Sequence, residues 1–334
     1  MTDPAQPSGP PPAGDLPVTA DPPAPAEHPS ATQLPLAAQP AYPGKLERTM
    51  LKKFGPEGRA FLARLPSLLE DLASRWSLTL GDPYADLSYH YVCRATVAGG
   101  TPAVLKVGVP HDEMGTESEV LRLFDGHGIV RLFQADLEAG ALLMERAVPG
   151  ETLVALSQSD DDRATRIGAT IMRDLWRPAP DHHPFRDMQS WFKYLWKVDA
   201  DLRASGQPVP PQIERAVPLT RELIDTTDQP VLLHGDLHHF NILTAQRSPY
   251  LAIDPKGHVG DRCYELYAFL VNPDEIEAPR LTRRLDILTS ELDLDRARAR
   301  DWFFARQVLN ACWSFDEPAK FRSDLAQADL FATI

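Results

Sequence analysis

From about Lys45 onward the apolar positions fall into two rhythms. Phe61, Leu62, Leu65, Leu68, Leu69, Leu72 and Trp76 recur at helical steps, which predicts amphipathic helix, with Pro66 as a break or the start of a second helix. β-formers then take over. His90–Val97 and Pro102–Val109 read as strands around the turn Ala98-Gly99-Gly100. A helix over His111–Phe124 follows, with Met114, Glu117, Leu121 and Phe124 on one face and Glu119 rotated toward solvent. Gly128–Phe133 and Ala141–Glu145 read as two more short strands of a small sheet. Arg146–Gly150 is a connector.

Beyond the connector the pattern is mostly helical. Ile167, Ile171 and Leu175 mark one helix, preceded by the capping run Ser159-Asp160-Asp161-Asp162. Met188, Trp191, Phe192, Leu195, Val198 and Leu202 mark another, read as core. Pro208, Pro210 and Pro211 punctuate before a helix ending near Asp225, and helices around Leu281–Leu292 and Arg296–Trp313 follow late in the chain.

One stretch breaks this helical run. Val231–Leu233 is an apolar strand, a loop with His234, Asp236 and Asn241 follows, and a second short strand, Tyr250–Ile253, ends on Asp254. Acids at strand ends sit where a ligand can reach them. The spacing suits phosphoryl transfer, which needs positioning, Mg²⁺ between phosphates, and a carboxylate to orient the attacking hydroxyl. Asp236 is the candidate carboxylate, and Asn241 and Asp254 are candidate Mg²⁺ ligands, since Mg²⁺ takes few protein oxygens beside phosphate and water. Two plainer readings stand beside this one. Loop Asp and Asn often bond their own backbone. His234, His238 and His239 would need to converge with further ligands to hold zinc, and the cysteines lie far away in sequence.

HGDLHHFNIL followed by AIDPKGHVGD resembles the aminoglycoside/hydroxyurea antibiotic resistance kinases, within the wider group of aminoglycoside phosphotransferases. The likeness extends over about residues 45–318. It implies an α+β, protein-kinase-like two-lobed fold: a small antiparallel five-stranded lobe plus a larger, mainly helical lobe, with ATP and Mg²⁺ in the cleft. On that resemblance Lys106, in the strand AVLKVG, contacts nucleotide phosphates and pairs with Glu117. Glu145 and Ala147 contact adenine through their main chain. His234 and Asp261 support the catalytic loop, with Asp261 capping the next helix or bonding the loop's backbone. Two departures stand out. No glycine lies between Asp82 and Val92, so Ser88 and nearby N–H groups are the candidates to cover the phosphates. Glu265 also stands where the family usually has Asp.

Composition sharpens the picture modestly. Residues 1–44 are rich in Pro, Ala, Ser and Gln without apolar rhythm, which predicts a disordered tail, and they lack the basic start and apolar run of a signal peptide. Residues 45–147 are expected to form the small lobe with its leading helices and 148–334 the helical lobe. The net charge of −13 argues against nucleic acid as a partner and suits a cationic small-molecule hydroxyl acceptor. Glu265, Asp274, Glu275 and Asp316 are acidic candidates near that acceptor. Cys93, Cys263 and Cys312 are few and scattered, as in a reduced, cytoplasmic protein, and no run approaches a membrane span. The family resemblance implies a streptomycin-like aminocyclitol or hydroxyurea as the acceptor. A metabolic sugar, amino alcohol or nucleoside, or a low-turnover nucleotide-binding role, are the alternatives, and oligomeric state is left open.

Overall fold

The structure is a computed structural model that describes residues 44–273 and 277–334. Of the expected tail only Gly44 falls within it, and Asp274 and Glu275 lie outside the described residues.

Helix α1 spans Gly44–Arg75 and buries Leu46, Met50, Phe61, Leu62, Leu65, Leu69 and Leu72. Its break falls at Gly55, whose φ of 53° only glycine adopts freely, and Pro56 restarts the helix. Pro66, expected as the break, sits inside the second half of α1. Strands β1 (Leu78–Pro83), β2 (Tyr91–Val97) and β3 (Thr101–Val107) follow, then α2 (Asp112–Phe124), β4 (Leu132–Asp136) and β5 (Ala141–Glu145). They form one antiparallel five-stranded sheet in the order β1-β2-β3-β5-β4. Lys106 lies in its middle strand, opposite Val92 on one side and Leu142 on the other.

Two elements differ from the sequence pattern. The first strand, Leu78–Pro83, carries glycine and proline and gives almost no β signal. The apolar run expected as a strand over Gly128–Phe133 is divided. Its second half begins β4, while Ile129 pairs in parallel with Ala252, in the hairpin that ends on Asp254. The Ala252 N–H donates to Gly128 O at 2.8 Å, and the Val130 N–H to Ala252 O at 3.0 Å.

The large lobe opens with β6 (Pro149–Thr152), α3 (Val154–Ser159) and α4 (Asp161–Leu175). Asp160 caps α4 by accepting from the Arg163 N–H at 3.1 Å. The short strands β7 (Arg177–Pro178) and β8 (Arg186–Asp187) precede α5 (Met188–Trp191), α6 (Lys193–Ala204) and α7 (Pro211–Asp225). Then come β9 (Val231–Leu233), β10 (Ile242–Ala245), β11 (Tyr250–Ala252) and β12 (His258–Gly260). Helices α8 (Arg262–Leu270), α9 (Ala278–Leu292), α10 (Arg296–Trp313) and α11 (Pro318–Phe331) complete the lobe. The strands make two small sheets, β11-β10-β6 and β7-β9-β12-β8.

Helix α10 is the core of this lobe. Trp302, Phe303, Phe304, Val308 and Leu309 are all buried on it. Burying each large side chain stabilises by roughly 2–3 kcal/mol. Helix α9 contributes Arg284, which is fully buried and reaches Asp161 at the start of α4 at 2.6 Å. Arg280 joins the same carboxylate at 2.8 Å. A buried guanidinium is tolerable only with such a partner. Replacing Asp161 by Ala is expected to destabilise the protein by about 3 kcal/mol in denaturant unfolding. A loss under about 0.5 kcal/mol, the usual scale of an exposed pair, would contradict the pairing.

Candidate active site

The candidate loop hangs from β9, whose three residues are buried. Strand β9 pairs antiparallel with β12, setting Leu233 opposite His258. Gly235 follows with φ of 84°, and a Cβ there would meet His258 Nδ1 at 2.2 Å, so only glycine fits. His234 is fully buried. Its Nε2 is 2.9 Å from Ile253 O, and its Nδ1 accepts from the Asp236 N–H at 3.3 Å. Those partners fix a neutral ring protonated on Nε2, and burial pushes its pKa down to about 3. His234 O in turn accepts from the N–H groups of Lys256 and Gly257 at 2.7 and 3.1 Å.

Glu265 on α8 holds the same turn. Its carboxylate accepts from the His234 N–H at 2.7 Å and from the Gly235 N–H at 2.9 Å. Glu265 therefore corrects its sequence assignment: it is 2% exposed, with both oxygens on loop backbone, rather than open to an acceptor. Asp261 takes the other role expected of it. It caps α8 by accepting from the Cys263 N–H at 2.8 Å and pairs with Arg298 at 2.5 Å. The support of the loop backbone that Asp261 was expected to share comes from Glu265, one helical turn further on.

Asp236 and Asn241 are joined across the loop, the Asn241 Nδ2 donating to Asp236 O at 3.0 Å. This commits the amide nitrogen to the loop and leaves the amide oxygen as the available donor atom. The Ile253 N–H donates to Asn241 O at 3.0 Å, which brings Asp254, with φ of 58°, beside Asn241. One neutral and one anionic oxygen suit Mg²⁺ in company with phosphate. The histidines do not converge on a metal: His234 is engaged with backbone, and the ring of His239 lies 4.1 Å from that of Phe269. No cluster of three or more His, Cys, Asp or Glu suited to a metal occurs among the described residues.

Charge gathers around Asp254. Lys106 Nζ lies 2.6 Å from Glu117 Oε2 and 2.7 Å from Asp254 Oδ1, while Lys256 reaches Asp254 Oδ2 at 2.9 Å. Burial alone would lower the Lys106 pKa, but Asp254 and Glu117 outweigh it and raise the pKa. For Asp254 burial pushes upward, and the two lysines overcome it and hold the carboxyl below its ordinary range. Burial raises the Glu117 pKa, opposed by Lys106. Glu119 pairs instead with Arg122. Lys256 was not singled out in the sequence; its signal is a lysine two positions after Asp254, in IDPKG.

Ser88 is exposed in the loop between β1 and β2, where its carbonyl accepts from the Thr49 hydroxyl. The Glu145 N–H donates to Arg131 O at 2.8 Å, and its carboxylate binds Arg247 through two bonds of 2.9 and 2.8 Å. Arg247 also donates to Gly126 O and Ile129 O at 2.7 and 3.0 Å. Ala147 is buried just past β5.

Asp236 borders a cavity of about 70 Å³ with Tyr264, Glu265, Tyr267 and Arg306 along its wall. Burial raises the Asp236 pKa, with His238 and Lys256 opposing. His238, weighed in the sequence as a zinc ligand, has Nε2 3.8 Å from Asp236 Oδ1. Asp316, the remaining described acceptor candidate, is exposed and does not border this cavity.

A five-stranded lobe, a helical lobe, and a lysine bridging a helix glutamate to a hairpin aspartate define a kinase-like phosphotransferase. Solved structures agree on the fold. A choline/ethanolamine kinase family protein from Mesorhizobium loti matches with a TM-score of 0.56 at 14% identity, covering 84% of this chain and 94% of its own. A putative fructosamine-3-kinase from Thermobifida fusca matches with a TM-score of 0.53 at 16% identity, covering 79% and 97%. The family model described as aminoglycoside/hydroxyurea antibiotic resistance kinase matches residues 75–317, and the chain belongs to that family. It is 33% identical to a streptomycin 6-kinase of Streptomyces glaucescens, over 82% of this chain and 91% of the relative. It is 34% identical to a hydroxyurea phosphotransferase of Kitasatospora aureofaciens, over 82% and 80%.

Burial pushes the Glu265 carboxyl up to about 7, against the two backbone N–H bonds it accepts. The folded state thus keeps a proton there that the unfolded chain releases near pH 4.5. The associated stability is fully present below about pH 4.5 and is lost as pH rises through about 7. The stability difference between wild type and Glu265→Gln is expected to shift against wild type across that window, by up to ~3 kcal/mol in denaturant unfolding. A pH-independent difference would show that Glu265 titrates normally.

Proposed function

We propose that this protein transfers the γ-phosphoryl group of ATP, with Mg²⁺, to a hydroxyl of a small acceptor of the kind its relatives' names describe. Streptomycin is the cationic candidate and hydroxyurea the neutral one. The observation that carries the reading is Lys106 held between Glu117 and Asp254, with Asp236 on the same catalytic segment bordering a separate cavity. Residues 45–147 are taken as the small lobe and 148–334 as the helical lobe, with nucleotide between them.

In this reading Asn241 Oδ1 and Asp254 hold Mg²⁺, which neutralises phosphate charge when bound. Lys106 meets the phosphates, and Glu117 fixes its position. Lys256 adds a second cation beside Asp254. Ser88 and its neighbours cover the phosphates in place of a glycine-rich loop, and the main chain of Glu145 and Ala147 receives adenine. Asp236 orients the acceptor hydroxyl and takes its proton as the new O–P bond forms and the β–γ bridging bond breaks. Asp236 must be ionised to do so, and its raised pKa makes it a better base than an exposed aspartate. His234, Glu265 and the capped start of α8 keep the loop in place.

The site is assigned to the cytoplasm, where ATP is available. Three buried free cysteines suit that reducing compartment, and no described helix is long and apolar enough to cross a membrane.

Incubation with Mg-ATP and either compound is expected to add one phosphoryl mass to the acceptor. Asp236→Ala should lower kcat by roughly 10²–10⁴-fold while nucleotide binding, followed by calorimetry, stays within about threefold of wild type. Near-normal turnover in that variant would remove Asp236 from the mechanism.

A further inference from the structure

The cavity beside Asp236 offers little negative charge to an acceptor. Asp236 is needed for the chemistry, and both Glu265 oxygens are bonded to loop backbone. The wall instead carries a cation, Arg306 of α10. Its guanidinium lies 4.6 Å from the Tyr267 ring centre and 4.5 Å from that of Trp313. Its Nε donates to the Tyr264 hydroxyl at 3.0 Å. Two aromatic faces and one hydrogen bond therefore fix its plane. Its Nη1 is buried and has no hydrogen-bond acceptor among the described residues. A buried N–H of a charged group left without an acceptor is costly, and such orphans in clefts commonly mark a ligand contact.

We propose that Arg306 reads the acceptor. Its guanidinium, on the cavity wall, donates to a carbonyl or hydroxyl oxygen next to the hydroxyl that Asp236 addresses. The site accordingly favours a neutral acceptor that pairs a hydroxyl with an adjacent oxygen, as hydroxyurea does, over one that brings a guanidinium or ammonium to that position, as streptomycin does. This rests on the phosphotransferase reading above and narrows its substrate class.

The test compares kcat/KM for hydroxyurea and for streptomycin, together with KM for ATP, in wild type, Arg306→Gln and Tyr264→Phe. Wild type is expected to prefer hydroxyurea. Arg306→Gln should lower kcat/KM for hydroxyurea by about 10–100-fold, mainly through KM, as expected for losing a hydrogen bond from a charged donor. Its kcat/KM for streptomycin should stay level or rise, with KM for ATP unchanged. Tyr264→Phe removes the hydroxyl that holds Nε and should lower the hydroxyurea preference by less than Arg306→Gln does. If Arg306→Gln does not fold, Arg306→Lys keeps the charge and stem without Nη1 and should show the same selective loss. Equal losses on both acceptors would make Arg306 structural and overturn the inference. Wild-type turnover of streptomycin without hydroxyurea would also overturn it, yet leave the phosphotransferase reading standing. Turnover of neither compound would overturn both.

Discussion

A single ammonium group carries much of the architecture. Lys106 Nζ sits between a carboxylate on α2 and one at the end of the catalytic hairpin, within 2.7 Å of each. Lys106 and Glu117 are almost wholly buried and cannot fall back on water, whereas Asp254 keeps about a third of its side chain exposed, 35%. Removing the cation would leave two anions close together in a poorly solvated place. The central strand, the helix beside it and the hairpin below must therefore keep one relative arrangement for these charges to be tolerable. Lys256, on the far oxygen of Asp254, extends the same constraint into the segment that leads to β12.

The loop after β9 obeys a different rule: its backbone leaves little freedom unclaimed. His234 engages Ile253 and Asp236, Glu265 engages two consecutive N–H groups, and Asn241 ties back to Asp236. A loop held at so many points presents Asp236 in one orientation before any substrate arrives, which is the condition for effective positioning. The requirement is steep at Gly235, where the neighbouring imidazole of His258 occupies the space a side chain would need.

Much of this was legible in the chain. Period-2 and period-3.6 patterns marked β2, β3, β5, α2 and most of the helical lobe. The spacing of His234, Asp236, Asn241 and Asp254 marked a loop and hairpin that the fold does bring together. What was hidden depended on partners distant in sequence. Nothing local distinguishes Glu265, bonding a turn some thirty residues earlier, from an acid facing a ligand. Ile129 and Val130 look like sheet residues, and only the presence of β11 explains why they leave the small sheet. Pro66 was a reasonable breaker, yet the chain bends where Gly55 permits a positive φ. Helix α11 carries too weak an apolar rhythm to stand out from its sequence alone.

The pairing of Gly128–Val130 with Ala252 has a mechanical meaning. Along that edge the two lobes are stitched by main-chain hydrogen bonds, and the Arg247 guanidinium clasps Glu145, Gly126 and Ile129 from the hairpin side. Several strong bonds along one seam hold the hairpin and this edge of the small sheet together as one piece, so a strain placed on either is carried into the other.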